Sequence, residues 1–103
     1  MVRSNNVIAG AAFATKDDLS QVIALMGDGV VSVYATLVSG STPCSLAIEV
    51  TPDGQNWIEV GAIAVTGTPG ALANTTVTVK AIQARLRQKA DCALAVINAW
   101  ILN

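Results

Sequence analysis

Apolar and polar residues alternate along most of this chain, in short runs separated by turn-forming residues. Gly27-Asp28-Gly29, Ser39-Gly40-Ser41-Thr42-Pro43, Thr51-Pro52-Asp53-Gly54 and Gly67-Thr68-Pro69-Gly70 punctuate stretches rich in Val, Ile, Thr and Ala. Turn signals at this spacing, with strand-like runs between them, predict an all-β sandwich or barrel. The runs place strands near 6–14, 20–27, 30–38, 44–51, 56–65, 74–80, 82–88 and 92–102. In Val31–Leu37 the odd positions are apolar, and in Cys44–Ile48 the even positions are the larger ones, with Glu49 on the other face. Val77 and Val79 share a face opposite Thr78 and Lys80. A period of two with one apolar face describes half-buried strands in a two-layer structure. Ile82, Ala84 and Leu86 are apolar on the opposite parity from Val77 and Val79, which predicts a bend, bulge or strand break near Lys80–Ile82.

Thr51–Trp57 (TPDGQNW) predicts a tight hairpin. Pro52 presets φ at the first corner, Asp53 suits the second, and Gly54 supplies a positive φ where the chain turns back. The flanking strands are then antiparallel neighbours. The last run, Cys92–Leu102, is apolar on both parities. That pattern suits a strand central between covered faces, or one buried by a neighbouring subunit. A helix over 81–97 is the alternative, but Arg85, Arg87 and Lys89 alternate with Leu86, Gln88 and Ala90 as a strand would. The first fifteen residues, Ala-Gly-rich and apolar, are expected to form an N-terminal arm or first strand ahead of a single domain over 16–103.

Composition changes the picture in one respect. Of 103 residues, 52% are hydrophobic and only 13% charged, with no histidine. A small domain normally carries about 25% charged residues, so this chain is expected to bury part of its apolar surface against another chain. The net charge of −1 gives no basic footprint. Arg85, Arg87 and Lys89 form a local basic cluster suited to phosphate contact or, the preferred reading, to a solvated strand. Cys44 and Cys92 lie in apolar strand patterns and are expected to be small buried hydrophobes rather than a disulfide, since nothing in the chain marks it for export. Val7–Ala14 makes a poor signal peptide: one basic residue precedes it and Lys16-Asp17-Asp18 follows. No run approaches the roughly 18 apolar residues of a membrane span.

Candidate chemistry is sparse. With no histidine and no partnered cysteine there is no nucleophilic triad. The carboxylates Asp17, Asp18 and Asp28 match no EF-hand spacing, no glycine pattern matches a phosphate-binding loop, and Glu49 and Glu59 flank a hairpin as surface charges. No enzyme activity, cofactor or metal is expected. Trp57, just after the turn, either caps the core or faces a ligand, with Gln55 and Asn56 as polar neighbours suited to a sugar.

The run VVSVYATLVSG, a turn, CSLAIEVT and then PDGQNWIEVG resembles a pattern common in small bacteriophage virion proteins, where a DG-x-NW hairpin joins two strands of a β-sandwich. The likeness covers roughly 20–65, with a looser one in Ala84-Arg85-Leu86 and the final strand. The same hairpin is similar to that of discoidin-like carbohydrate-binding domains, which are longer and carry more loops. The resemblance implies a jelly-roll-like antiparallel sandwich of seven or eight strands, made in the host cytoplasm and residing in the virion as a capsid decoration protein. It implies self-association, a trimer on a capsid three-fold above other forms, and contact with the major capsid or another virion protein. Neither membrane nor nucleic acid is implied. Val7, Ile8 and Phe13 of the arm, with Trp100, Ile101 and Leu102 of the last strand, are the expected interface residues. The alternatives are a head–tail or tail component, and a carbohydrate-binding module centred on Gln55, Asn56 and Trp57.

Overall fold

A computed structural model describes residues 3–26 and 28–103. It contains eight strands: β1 (Ser4–Ala12), β2 (Ile23–Ala24), β3 (Asp28–Ser39), β4 (Cys44–Thr51), β5 (Ile58–Val65), β6 (Leu72–Lys80), β7 (Gln83–Gln88) and β8 (Val96–Leu102). They form two antiparallel four-stranded sheets, ordered β1-β8-β3-β6 and β2-β7-β4-β5. The pairing has a simple logic. Folding the chain back on itself at the β4–β5 turn sets β4 beside β5, β3 beside β6, β2 beside β7 and β1 beside β8. Rolling that ribbon sends alternate pairs to opposite layers, which is the eight-stranded jelly roll expected from the sequence.

The alternating positions fill the space between the layers. Val31, Val33, Ala35 and Leu37 of β3 and Ile97, Ala99 and Ile101 of β8 meet Leu46 and Ile48 of β4, Ile63 and Val65 of β5, and Ala84 and Leu86 of β7. All are almost wholly removed from water. The parity shift after Val79 is a strand break: β6 ends in one sheet, Ala81 and Ile82 cross between layers, and β7 begins in the other. Ile82 is tied there by its N–H to the Thr51 carbonyl (2.9 Å) and its carbonyl to the Leu25 N–H (2.8 Å). Its side chain is half-exposed rather than aligned with Ala84 and Leu86.

Three expectations need correcting. The second strand shrinks to Ile23–Ala24: the chain before it meets β7 at an isolated Leu19–Arg87 bridge, through backbone bonds of Asp17, Asp18 and Ser20, and through Ser20 Oγ, which accepts from the Leu86 N–H, without forming a continuous ladder. The last strand starts at Val96, not Cys92, since Leu94 takes a positive φ of 55° and turns the chain. The cysteines are not separate hydrophobes: Cys44 at the start of β4 is bonded to Cys92 in the turn before β8, with Cα atoms 6.0 Å apart and a sequence separation of 48. Of the two forms expected for the N-terminal residues, arm or first strand, the described ones take the strand. Ser4–Ala12 pairs with β8, Val7, Ile8 and Phe13 enter the chain's own core, and the buried Gln88 amide donates to the Phe13 carbonyl at 2.6 Å.

Candidate interaction site on the outer sheet face

The strand patterns that fill the core also decide what points away from it. In β3 the residues between the core positions are Val30, Ser32, Tyr34, Thr36 and Val38; in β8 they are Val96, Asn98, Trp100 and Leu102. Register sets Tyr34 directly opposite Trp100, and Ser32 opposite Leu102. On the far side of β3, Leu72 pairs with Thr36 and Asn74 with Tyr34; on the far side of β8, Ser4 pairs with Leu102. Tyr34, Trp100, Leu72, Leu102 and Ser4 line a shallow depression of about 320 Å³ on this face.

Among the described residues, none that lines that depression is charged. Leu72 is 58% exposed, and Val30 and Val38 extend the apolar surface along β3. The floor is held firmly at one side: the Asn6 amide donates to the Ile8 and Ala99 carbonyls and to Asn98 Oδ1, at 2.9–3.1 Å. β8 is therefore central between β1 and β3, with one face in the core and the other uncovered by this chain. An adjacent aromatic pair, rimmed by leucines on a rigid sheet, can bury apolar area against a partner but offers few groups for directional recognition.

The opposite outer face is polar and already internally satisfied. Glu49 accepts from Arg85 Nε (2.8 Å) and from Arg87 Nε (2.9 Å). Arg87 also reaches Asp17 and Glu59, and Lys89 reaches Glu59 at 3.2 Å. The basic cluster thus has a carboxylate partner for each of Arg85, Arg87 and Lys89. Burial of Glu49 works against its charge, but the hydrogen bonds from Arg87 and Arg85 outweigh that and hold its pKa below the ordinary value.

Gln55, Asn56 and Trp57 come together at the β4–β5 turn, beside this ladder. Asp53 organises the turn: its Oδ1 accepts from the Gln55 and Asn56 backbone N–H groups, both at 2.8 Å, and its Oδ2 from the Asn56 side chain at 2.6 Å. Those bonds, the Asn56 backbone first, press the Asp53 carboxyl well below the usual carboxylate range. Buried Thr51 Oγ1 accepts from the Gly54 N–H at 2.9 Å, and Gly54 takes the positive φ, 83°, that the turn requires. The Arg85 guanidinium lies 4.0 Å from the Trp57 ring centroid. Trp57 is thereby stacked on a residue of its own chain, and the Asn56 side chain is committed to its own turn.

The expected interface residues divide. Val7, Ile8, Phe13 and Ile101 are core; Trp100 and Leu102 are half-exposed on the outer face. Tyr34 and Leu72 complete that patch and were not singled out by the sequence. The parity of β3 put Tyr34 opposite the core valines, but its pairing with Trp100 depends on sheet order, and Leu72 lies just before the expected start of its strand.

No family model and no curated protein matches the chain in sequence. Several solved structures share its architecture. The PBSX exported protein XepA superposes with a TM-score of 0.69 at 16% identity, over 96% of this chain and 36% of XepA, so this chain spans about a third of that protein. The CBM32 of AlyQ, solved in complex with 4,5-unsaturated mannuronic acid, gives 0.61 at 16% identity, over 99% of this chain and 75% of that one. The SPBc2 prophage-derived protein YomS gives 0.56 at 6% identity, covering 100% of this chain and 96% of its own. At these identities the likeness establishes the β-sandwich fold alone, one shared by phage-related proteins and by carbohydrate-binding modules.

Proposed function

We propose that this chain is a non-catalytic structural component of a phage particle, acting by burying its outer sheet face against a neighbouring virion protein. The carrying observation is the uncharged Tyr34–Trp100–Leu72–Leu102 patch, in a chain with only 13% charged residues. A cement or decoration protein works through buried surface repeated by symmetry, so many modest contacts suffice. The sandwich likeness to the prophage-derived YomS over nearly both full lengths supports this reading, as does the DG-x-NW turn at Asp53–Trp57. A capsid-surface position is the version proposed, with head–tail and tail positions as its variants.

The test is particle composition. Particles released by the producing culture and banded in a density gradient are expected to contain this chain at fixed stoichiometry by mass spectrometry. Substituting Trp100→Ser together with Leu72→Ser is expected to lower its occupancy at least about tenfold, the equivalent of losing one well-buried anchor. Absence of the chain from banded particles would overturn the proposal.

A second reading has one specific observation behind it: Tyr34 and Trp100 side by side on an open sheet resemble a sugar-stacking platform, and the AlyQ module shares the fold. It predicts a saturable change in tryptophan fluorescence on adding acidic or neutral oligosaccharides, lost in Trp100→Ala. The scarcity of polar groups around the pair places this reading second.

A further inference from the structure

Two open-edged sheets present four edge strands, and three of them are blunted. β1 pairs with β8 through two register shifts, with Gly10 at a positive φ of 60°, and its Val7 carbonyl already accepts from the Gln21 N–H. β2 is two residues long. β5 is interrupted where Ile48 and Glu49 meet it, and it carries Glu59 in the ion-pair ladder. Such irregularity, brevity and charge are the usual means by which edges avoid pairing with another chain.

β6 has none of them. Its nine residues run LANTTVTVK, pair with β3 over nine consecutive positions without a shift, and carry one charge, Lys80, at the end. Among the described residues β3 is its sole strand partner. At the same margin of the sandwich β5 packs beside β6, with Val77 against Gly61. There β5 leaves Ile58 53% and Val60 36% exposed. A long, regular, β-branched edge with apolar residues exposed on the strand stacked beside it is a template for strand addition.

We propose that β6 pairs antiparallel with β6 of a second copy of this chain, about a two-fold axis at Thr76. This goes beyond the particle role and does not depend on it. The sequence of β6 is self-complementary in that register. Thr76 meets its symmetry mate on the axis, as a threonine pair able to hydrogen-bond across strands, and Asn74 faces Thr78. On the inner face Thr75 meets Val77 and Ala73 meets Val79. Lys80 falls opposite Leu72, so the two lysines lie at opposite ends and no like charges meet. The first sheets of the two copies then join into one eight-stranded sheet, with both Tyr34–Trp100 patches on the same side. A two-fold contact of this kind closes on itself as a dimer, in place of the trimer expected from sequence.

The experiment is molar mass by light scattering on a sizing column. Wild type is expected at twice the 10.5 kDa chain mass. Thr76→Lys and Thr76→Glu each place like charges on the axis and are expected to run as monomers, with the dimer dissociation constant raised at least about tenfold. Thr76 is exposed and among the described residues its hydroxyl has Ser32 as partner, at 3.1 Å, so both variants are expected to keep the wild-type circular dichroism spectrum. Mixing the two variants is expected to restore a dimer by pairing opposite charges. A monomeric wild type, an oligomer whose mass neither variant changes, or a mixture that stays monomeric would overturn the proposal.

Discussion

Removing the Cys44–Cys92 bond is expected to lower the stability of the isolated chain by about 4 kcal/mol, the largest effect of any single change proposed for it. The bond spans 48 residues, and closing a loop of that length removes much of the freedom of the unfolded chain. It is also well placed to act, since both ends lie in the core, Cys44 at the start of β4 and Cys92 before β8. The bond therefore ties the two sheets together at one end of the sandwich. For a domain this small, unfolding free energies run near 5–15 kcal/mol in total, so a loss of this size leaves little in reserve. Chemical denaturation of Cys44→Ala/Cys92→Ala, with and without reductant, measures it directly. The expected outcome is a midpoint well below that of the oxidised wild type, and no effect of reductant on the variant. An unchanged midpoint would show that packing alone holds the β4 and β8 ends together. Disulfides persist in oxidising surroundings, virion surfaces among them, and not in a reducing cytoplasm, so the proposed particle role carries a test of its own. Thiol trapping is expected to find free cysteines inside producing cells and none in released particles.

Much of this fold was legible because its strands alternate cleanly. The parities of Val31–Leu37 and Cys44–Ile48 assigned the core faces, the Pro52-Asp53-Gly54 turn fixed one antiparallel neighbour, and the parity change around Lys80–Ile82 marked the crossing between sheets. What stayed hidden was what only long-range pairing decides. Val7, Ile8 and Phe13 read as interface residues because nothing local says that β1 will lie beside β8, at the other end of the chain. Cys44 and Cys92 looked independent for the same reason. The candidate site has the same origin: Tyr34 and Trp100 are 66 positions apart, and only the sheet order β8-β3 sets them side by side. Trp57 drew attention through its local setting, a tryptophan after a tight turn, whereas its partner, Arg85, comes from β7. Sequence periodicity thus identified which face of a strand is wet or dry. It did not identify which wet faces are joined into a patch.

The second large effect belongs to Glu49. Replacing it with glutamine keeps its shape and removes its charge, and is expected to destabilise the chain by about 3 kcal/mol, as breaking one side of a buried ion pair typically does. Glu49 sits between Arg85 and Arg87, two residues apart on the same face of β7, with each nitrogen contact under 3 Å. Without the negative charge the two guanidinium groups share one neutral amide oxygen in place of two carboxylate oxygens, and Arg85 keeps its contact with the Trp57 ring. The pH dependence has a definite sign. The folded pKa of Glu49 is depressed below its ordinary 4.5, so its contribution is complete above that value and is lost as pH falls through the lower, folded-state pKa. Asp53, also depressed from its ordinary value of 3.8, acts in the same direction at the β4–β5 turn. Wild type is therefore expected to lose stability steadily below about pH 4.5, and Glu49→Gln to show a shallower decline from a lower starting point. Asp53→Asn in the same background separates the two carboxylates: it is expected to make the decline shallower still. Denaturation midpoints between pH 2 and 7 measure all three. Parallel curves for wild type and Glu49→Gln would mean that the Arg85–Glu49–Arg87 cluster contributes through packing and not through charge.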